Sequence, residues 1–81
     1  MSRARDVVEV VARALAASPD EVEVTESERR GQTLIELTMA PGELGRVIGR
    51  QGRTATAVRS LAAAAGELDD ARVHVDFLDR D

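Results

Sequence analysis

The chain has no cysteine, so neither a disulfide framework nor a thiolate metal site is open to it. It has no tryptophan or tyrosine, and Phe77 is its one aromatic residue. That argues against modules that stack successive bases on aromatic rings, such as RNP-type sheets and cold-shock barrels. Lysine is absent too: all 11 basic residues are arginine, which we read as genomic composition rather than function. No apolar run approaches the roughly 18 residues of a membrane span. The charged start, Met1 to Asp6, is unlike a signal peptide. A reducing cytoplasm is the expected setting. There is no Ser/His/Asp or Cys/His set and no paired carboxylates on a recognisable scaffold, so no catalysis, cofactor or small-molecule substrate is expected. His74 is the sole histidine and has no second histidine or cysteine beside which to hold a metal.

What is present reads as one small domain spanning residues 1–81. A chain this short buries about 60–65% of its unfolded surface, so its core must be economical or completed by a partner. Hydrophobic residues make up 43% and charged residues 32%, a globular balance. The net charge of −4 argues against a generally basic nucleic-acid coat but leaves room for a local basic patch.

Periodicity divides the chain into six elements. Arg3–Ala17 reads as a helix, with Val7, Val8, Val11, Ala14 and Leu15 at three- and four-residue spacing. Ser18-Pro19-Asp20 ends it. Glu21–Glu26 alternates as a strand with Val22 and Val24 on one face, and Glu28 to Gly31 reads as a turn. Thr33–Met39, with Ile35, Leu37 and Met39 on one face, is its expected hairpin partner. A short helix opens near Pro41, with Glu43 close to its positive end, and Gly49 to Gly52 interrupts it. A second helix runs from about Arg53 to Ala65 on a stripe of Ala55, Val58, Leu61, Ala62 and Ala65, with Gly66 as its cap. Arg72–Phe77 alternates again. The expected class is α+β, order α-β-β-α-α-β: a three-stranded mixed sheet with three helices on one face, the last strand returning parallel through a helical crossover.

Charge is concentrated unevenly. Leu44 to Ser60 holds four arginines (Arg46, Arg50, Arg53, Arg59) and no acid, while the rest of the chain holds seven arginines against 15 acids. The same segment holds Gly45, Gly49 and Gly52, the densest glycine cluster. Glycines admit close backbone approach and helix N-termini point free N–H groups outward, so the segment reads as a phosphate-binding corner. The spacing is not the dinucleotide pattern, lies between helices rather than after a strand, and lacks the Lys-Ser/Thr of a P-loop.

Val47-Ile48-Gly49-Arg50-Gln51-Gly52-Arg53 resembles the core of the KH domain, in which Gly-x-x-Gly joins two helices and clamps single-stranded nucleic-acid backbone. The element order resembles the type II KH fold, an extra helix and strand (about 3–26) preceding the core (about 33–78). Size and the stretch Ala40 to Gly49 are similar to the small bacterial single-KH RNA-binding proteins. The resemblance implies roles. Gly49 and Gly52 let phosphates approach the turn, and Arg50 and Gln51 flank the backbone. Leu44, Gly45 and Ile48 form part of an apolar groove floor. Arg46 and Arg53 add phosphate contacts, and Arg59 is a candidate for one more. Arg29–Gln32 becomes the variable loop on the far side of the groove. It further implies single-stranded RNA as ligand, an RNA-chaperone or post-transcriptional role in cell elongation and envelope control, and assembly as a homodimer or as a heterodimer with a KhpB (Jag)-type KH protein. Two departures from the usual KH pattern stand out: Ala55 replaces a bulky aliphatic residue, which implies a thinner core, and the turn carries Arg50 rather than lysine. The competing expectation is a protein-interaction subunit that keeps the fold but binds RNA weakly.

Overall fold

The computed structural model describes residues 2–79. Ser2 starts the first helix, α1 (Arg3–Leu15), by accepting the Arg5 N–H on its Oγ at 3.1 Å, with Asp6 in the first turn. The helix is shorter than its periodicity predicts. Ala16 turns extended, and Pro19–Glu21 forms a single turn of 3₁₀ helix because proline disfavours a helical residue before it. Strand β1 (Glu23–Arg29) therefore begins and ends later than Glu21–Glu26, and β2 (Gln32–Thr38) follows through a two-residue turn. Arg30 and Gly31 both have positive φ, 51° and 79°, the primed hairpin geometry that matches strand twist.

After β2 the chain makes a bend and a turn before α2 (Gly45–Ile48). Pro41 and Glu43 thus precede this helix rather than sit in its first turn, and α2 is only four residues long. The crossover helix α3 (Arg53–Leu68) is longer than expected. Gly66 lies inside it and is buried, so it is no cap; a Cβ there would meet Val73 Cγ2 at 2.4 Å. Its glycine serves close packing of α3 on the last strand. The helix ends instead on Asp70, at φ 54°, with Ala71 N–H bonded to Gly66 O and Asp70 N–H to Glu67 O, a Schellman closure.

Strand β3 (Arg72–Leu78) completes a sheet of order β1-β2-β3. β1 pairs antiparallel with β2 and β3 parallel to it, which the α3 crossover permits. The register places Val24, Leu37 and Phe77 in one row and Ile35 beside Val75. These residues face the helices, with Val8, Ile35, Leu37, Met39 and Val47 fully buried. The α3 stripe is as expected except at Leu61, while the α1 stripe is shifted toward the N-terminus, with Val7 and Val11 half-buried against the core. On α1 the buried residues are Ala4, Val8 and Ala12, while Ala14 and Leu15 are exposed. On α3 they are Ala55, Val58, Ala62 and Ala65, and Leu61 is 52% exposed. Small residues on both helices let α1 and α3 lie close over a thin core. Among the described residues no helix is long and apolar enough to cross a membrane.

Candidate nucleic-acid interface

The link from α2 to α3 requires glycine at one place and favours it at a second. Gly49, whose N–H closes α2 onto Gly45 O at 2.9 Å, has φ 74° and ψ 178°, a region closed to other residues. A Cβ there would also meet Thr54 Oγ1 at 2.4 Å. Gly52, at φ 71° and ψ 15°, is the N-cap of α3. Between them Arg50–Gly52 forms one 3₁₀ turn in which Gln51 is left-handed, at φ 55° and ψ 24°. The chain reverses sharply, and the exposed Arg50 and Gln51 stand at its apex.

The surroundings are cationic. Gly52 offers α3 no side-chain cap, so the first-turn amides add the partial positive charge of a helix start. Arg53 Nη2 donates to Gln51 Oε1 at 3.1 Å, which ties these two exposed side chains together at the turn. Arg46, Arg50 and Arg53 are all exposed, and none of them pairs with an acid within 4 Å among the described residues. Of the other described arginines, Arg3 pairs with Asp69 at 2.9 Å, Arg5 with Glu9 at 2.7 Å and Arg13 with Glu9 at 3.1 Å, whereas the exposed Arg29, Arg30 and Arg72 have no ion pair either. What sets the turn apart is that three exposed, unbridged guanidiniums stand together beside it, open to an outside anion. Leu44 packs half-buried on the core beside the half-buried Ile48, and Gly45 is exposed between them. Ile35, Leu37 and Met39 lie beneath the helices and reach no surface groove.

Arg59 is placed differently from the other three. Its Nε donates to Val75 O at 3.3 Å, and its guanidinium lies over the Phe77 ring, 4.8 Å from the centroid. It is held against β3. The Arg29–Gln32 segment is also displaced from its expected place. Parallel pairing sets Gln32 beside Arg72, just past the end of α3, and Gly31 shares a depression there with Glu67 and Asp70. The α3 axis, 16 residues and about 24 Å long, separates this hairpin from the glycine turn. It is not the opposite wall of a groove at that turn.

One positioning residue escaped sequence reasoning. The Glu43 carboxylate accepts the N–H groups of Ala17 and Ser18 at 2.9 and 3.2 Å. Burial acts to raise its pKa, but the hydrogen bonds from Ser18 and Ala17 and the charge of Arg46 bring it below the ordinary carboxylate value. It ties the approach to α2 onto the end of α1. Only its isolation among the basic residues that follow hinted at a special role. No group of three or more metal-ligating side chains occurs among the described residues.

Comparison with known proteins extends over nearly the whole chain. Residues 5–77 match the family model described as KhpA/KhpB, KH domain. The chain is 43% identical over 79 residues to the RNA-binding protein KhpA of Aquifex aeolicus, covering 98% of this chain and 100% of that protein. It is 46% identical over 77 residues to the RNA-binding protein KhpA of Mycobacterium leprae, covering 94% of this chain and 91% of that one. A crystal structure of Aquifex aeolicus Era superposes on 94% of this chain with a TM-score of 0.64, although identity is 19% and only 29% of that chain is spanned. That last likeness is one of fold.

Proposed function

The chain belongs to the KhpA/KhpB KH-domain family, and on that premise we propose that it binds single-stranded RNA at the Gly49–Gly52 turn. The observation that carries the reading is the turn itself. Two glycines in positive-φ conformations bring the backbone to the surface, and Arg46, Arg50 and Arg53 flank it with no salt bridge among the described residues. Phosphates rest against Gly49–Gly52, and about four nucleotides follow the surface beside Leu44, Gly45 and Ile48. Binding is of low sequence specificity because charge on the backbone supplies most of the affinity. The relatives named above are RNA-binding proteins; a post-transcriptional or RNA-chaperone role in the cytoplasm, serving cell elongation and envelope control, is the process inferred from that kinship.

The test is fluorescence anisotropy with labelled single-stranded RNA across a salt series. Three or four arginine contacts give a log–log slope of about −2 to −3, at roughly 0.7 per contact. Arg50→Asp with Gln51→Asp removes most binding while circular dichroism stays unchanged. Equal binding by wild type and this double variant rejects the assignment.

A second reading has its own observation. Val10 is 68% exposed, Leu61 52% and Leu68 73%, all on the outer sides of the two long helices. Apolar side chains so placed suit a KH-fold partner, either a second copy or a KhpB (Jag)-type protein. Sedimentation of wild type and Leu61→Glu distinguishes the cases: a wild-type dimer that the variant converts to monomer supports this face, and identical monomers reject self-association.

A further inference from the structure

Arg59 stands apart from the other arginines of the acid-free segment because the fold already holds it. It contacts β3 twice, through Nε to Val75 O at 3.3 Å and through the Phe77 ring at 4.8 Å. Phe77, the only aromatic residue of the chain, is half-buried on the inner row of β3, an edge strand of the sheet. A charge that only neutralises a phosphate needs no such support; the exposed Arg50 does that unaided. A guanidinium is planar and has two faces on which a ring can lie; Phe77 takes up part of that surface and Arg59 remains exposed. It also lies about 9 Å along α3 from Arg53, six residues at 1.5 Å each, and about a third of a turn around the helix, a separation that a strand of a few nucleotides leaving the turn spans.

We propose that Arg59, backed by Phe77, is a base-stacking shelf: one nucleobase of the bound strand lies on the outward side of its guanidinium. The proposal rests on RNA binding at the Gly49–Gly52 turn and adds to it a contact with a base rather than with backbone. Because every base has a π-face, the shelf favours unstacked single strands over duplex without selecting a sequence.

The experiment measures anisotropy of labelled single-stranded RNA, intact or with an abasic site at each position in turn. The proteins compared are wild type, Arg59→Ala, Arg59→Lys and Phe77→Leu, each checked by thermal melting. In wild type one abasic position weakens binding about tenfold, from a stacking energy of order 1–3 kcal/mol. Arg59→Ala binds the intact strand about tenfold more weakly and no longer distinguishes the abasic one, while its salt slope is unchanged. Arg59→Lys behaves like Arg59→Ala, since the charge survives and the plane does not. Phe77→Leu weakens the same abasic discrimination. If Arg59→Lys binds like wild type and Arg59→Ala lowers the slope by about 0.7, the residue is a phosphate contact and the proposal falls. If Arg59→Ala is neutral while Arg50→Asp with Gln51→Asp abolishes binding, the proposal falls alone. If wild type binds no strand, both readings fall together.

Discussion

Replacing Gly49 by alanine should cost this domain far more than the same change at Gly52, although the two bracket one turn. Gly49 sits at φ 74°, ψ 178°, a region essentially restricted to glycine, with strain of about 1–3 kcal/mol for another residue. Its new Cβ would lie 2.4 Å from Thr54 Oγ1, 2.9 Å from Thr54 Cβ and 3.2 Å from Thr54 N, the last a backbone atom that cannot rotate away. Overpacking of that kind adds about 1–3 kcal/mol. Gly52 is at φ 71°, ψ 15°, ordinary left-handed helix, with nothing within 4 Å of a Cβ, so alanine there costs about 1–2 kcal/mol. A domain of this length is stable by about 4–12 kcal/mol, so Gly49→Ala removes a large share and Gly52→Ala a small one. Urea unfolding followed by circular dichroism gives both values, and the melting temperature should fall by about 4–8 °C per kcal/mol. Midpoints for the two variants that agree within error would refute the argument, because backbone class and Thr54 contact would then carry no weight.

Gly66→Ala should destabilise by about 1–3 kcal/mol in urea despite the better helix propensity of alanine, since the new methyl would lie 2.4 Å from Val73 Cγ2 and 3.0 Å from Ala71 O. Pairing it with Val73→Ala should recover part of the loss. Acid should weaken the fold through Glu26 and Glu43. The hydroxyl of Ser2 holds the Glu26 carboxyl below its ordinary 4.5, against the opposing effect of burial, and Glu43 is also lowered as the balance of burial against its Ser18 and Ala17 hydrogen bonds. A depressed folded-state pKa stabilises above the unfolded value, and that contribution is lost as pH falls below about 4.5 through the folded value. Urea midpoints measured from pH 7 to pH 3 should therefore drop on the acid side, and Glu43→Gln should flatten the decline.

Much of the architecture was legible because local chemistry and tertiary packing agree. The alternation of Val24, Ile35, Leu37, Val73, Val75 and Phe77 placed three strands with their inner faces, and the helical crossover before the last allowed the parallel return that the sheet has. The Gly49–Gly52 turn was legible for the same reason: positive φ and close approach demand glycine, and glycine is visible in a sequence.

What misled were residues whose meaning depends on a distant neighbour. Gly66 looks like a cap because glycine commonly ends helices, but its purpose lies in Val73 and Ala71 across the crossover. Leu61 has the right spacing for a core stripe, yet the buried face of α3 is formed by Ala55, Val58, Ala62 and Ala65, whose small side chains leave Leu61 at the edge of the contact and exposed. The hairpin at Arg30 and Gly31 could be located along the chain but not in space, because parallel pairing of Gln32 with Arg72 puts it at the far end of α3.

The sequence by itself determined which elements form, their order, and the cationic glycine turn, because each depends on contacts within a few residues. The tertiary structure alone decided that Glu43 anchors the end of α1 and that Arg59 rests on Phe77. Those partners are 25 and 18 residues apart or more, and only the closed fold brings their polar atoms and ring within bonding distance.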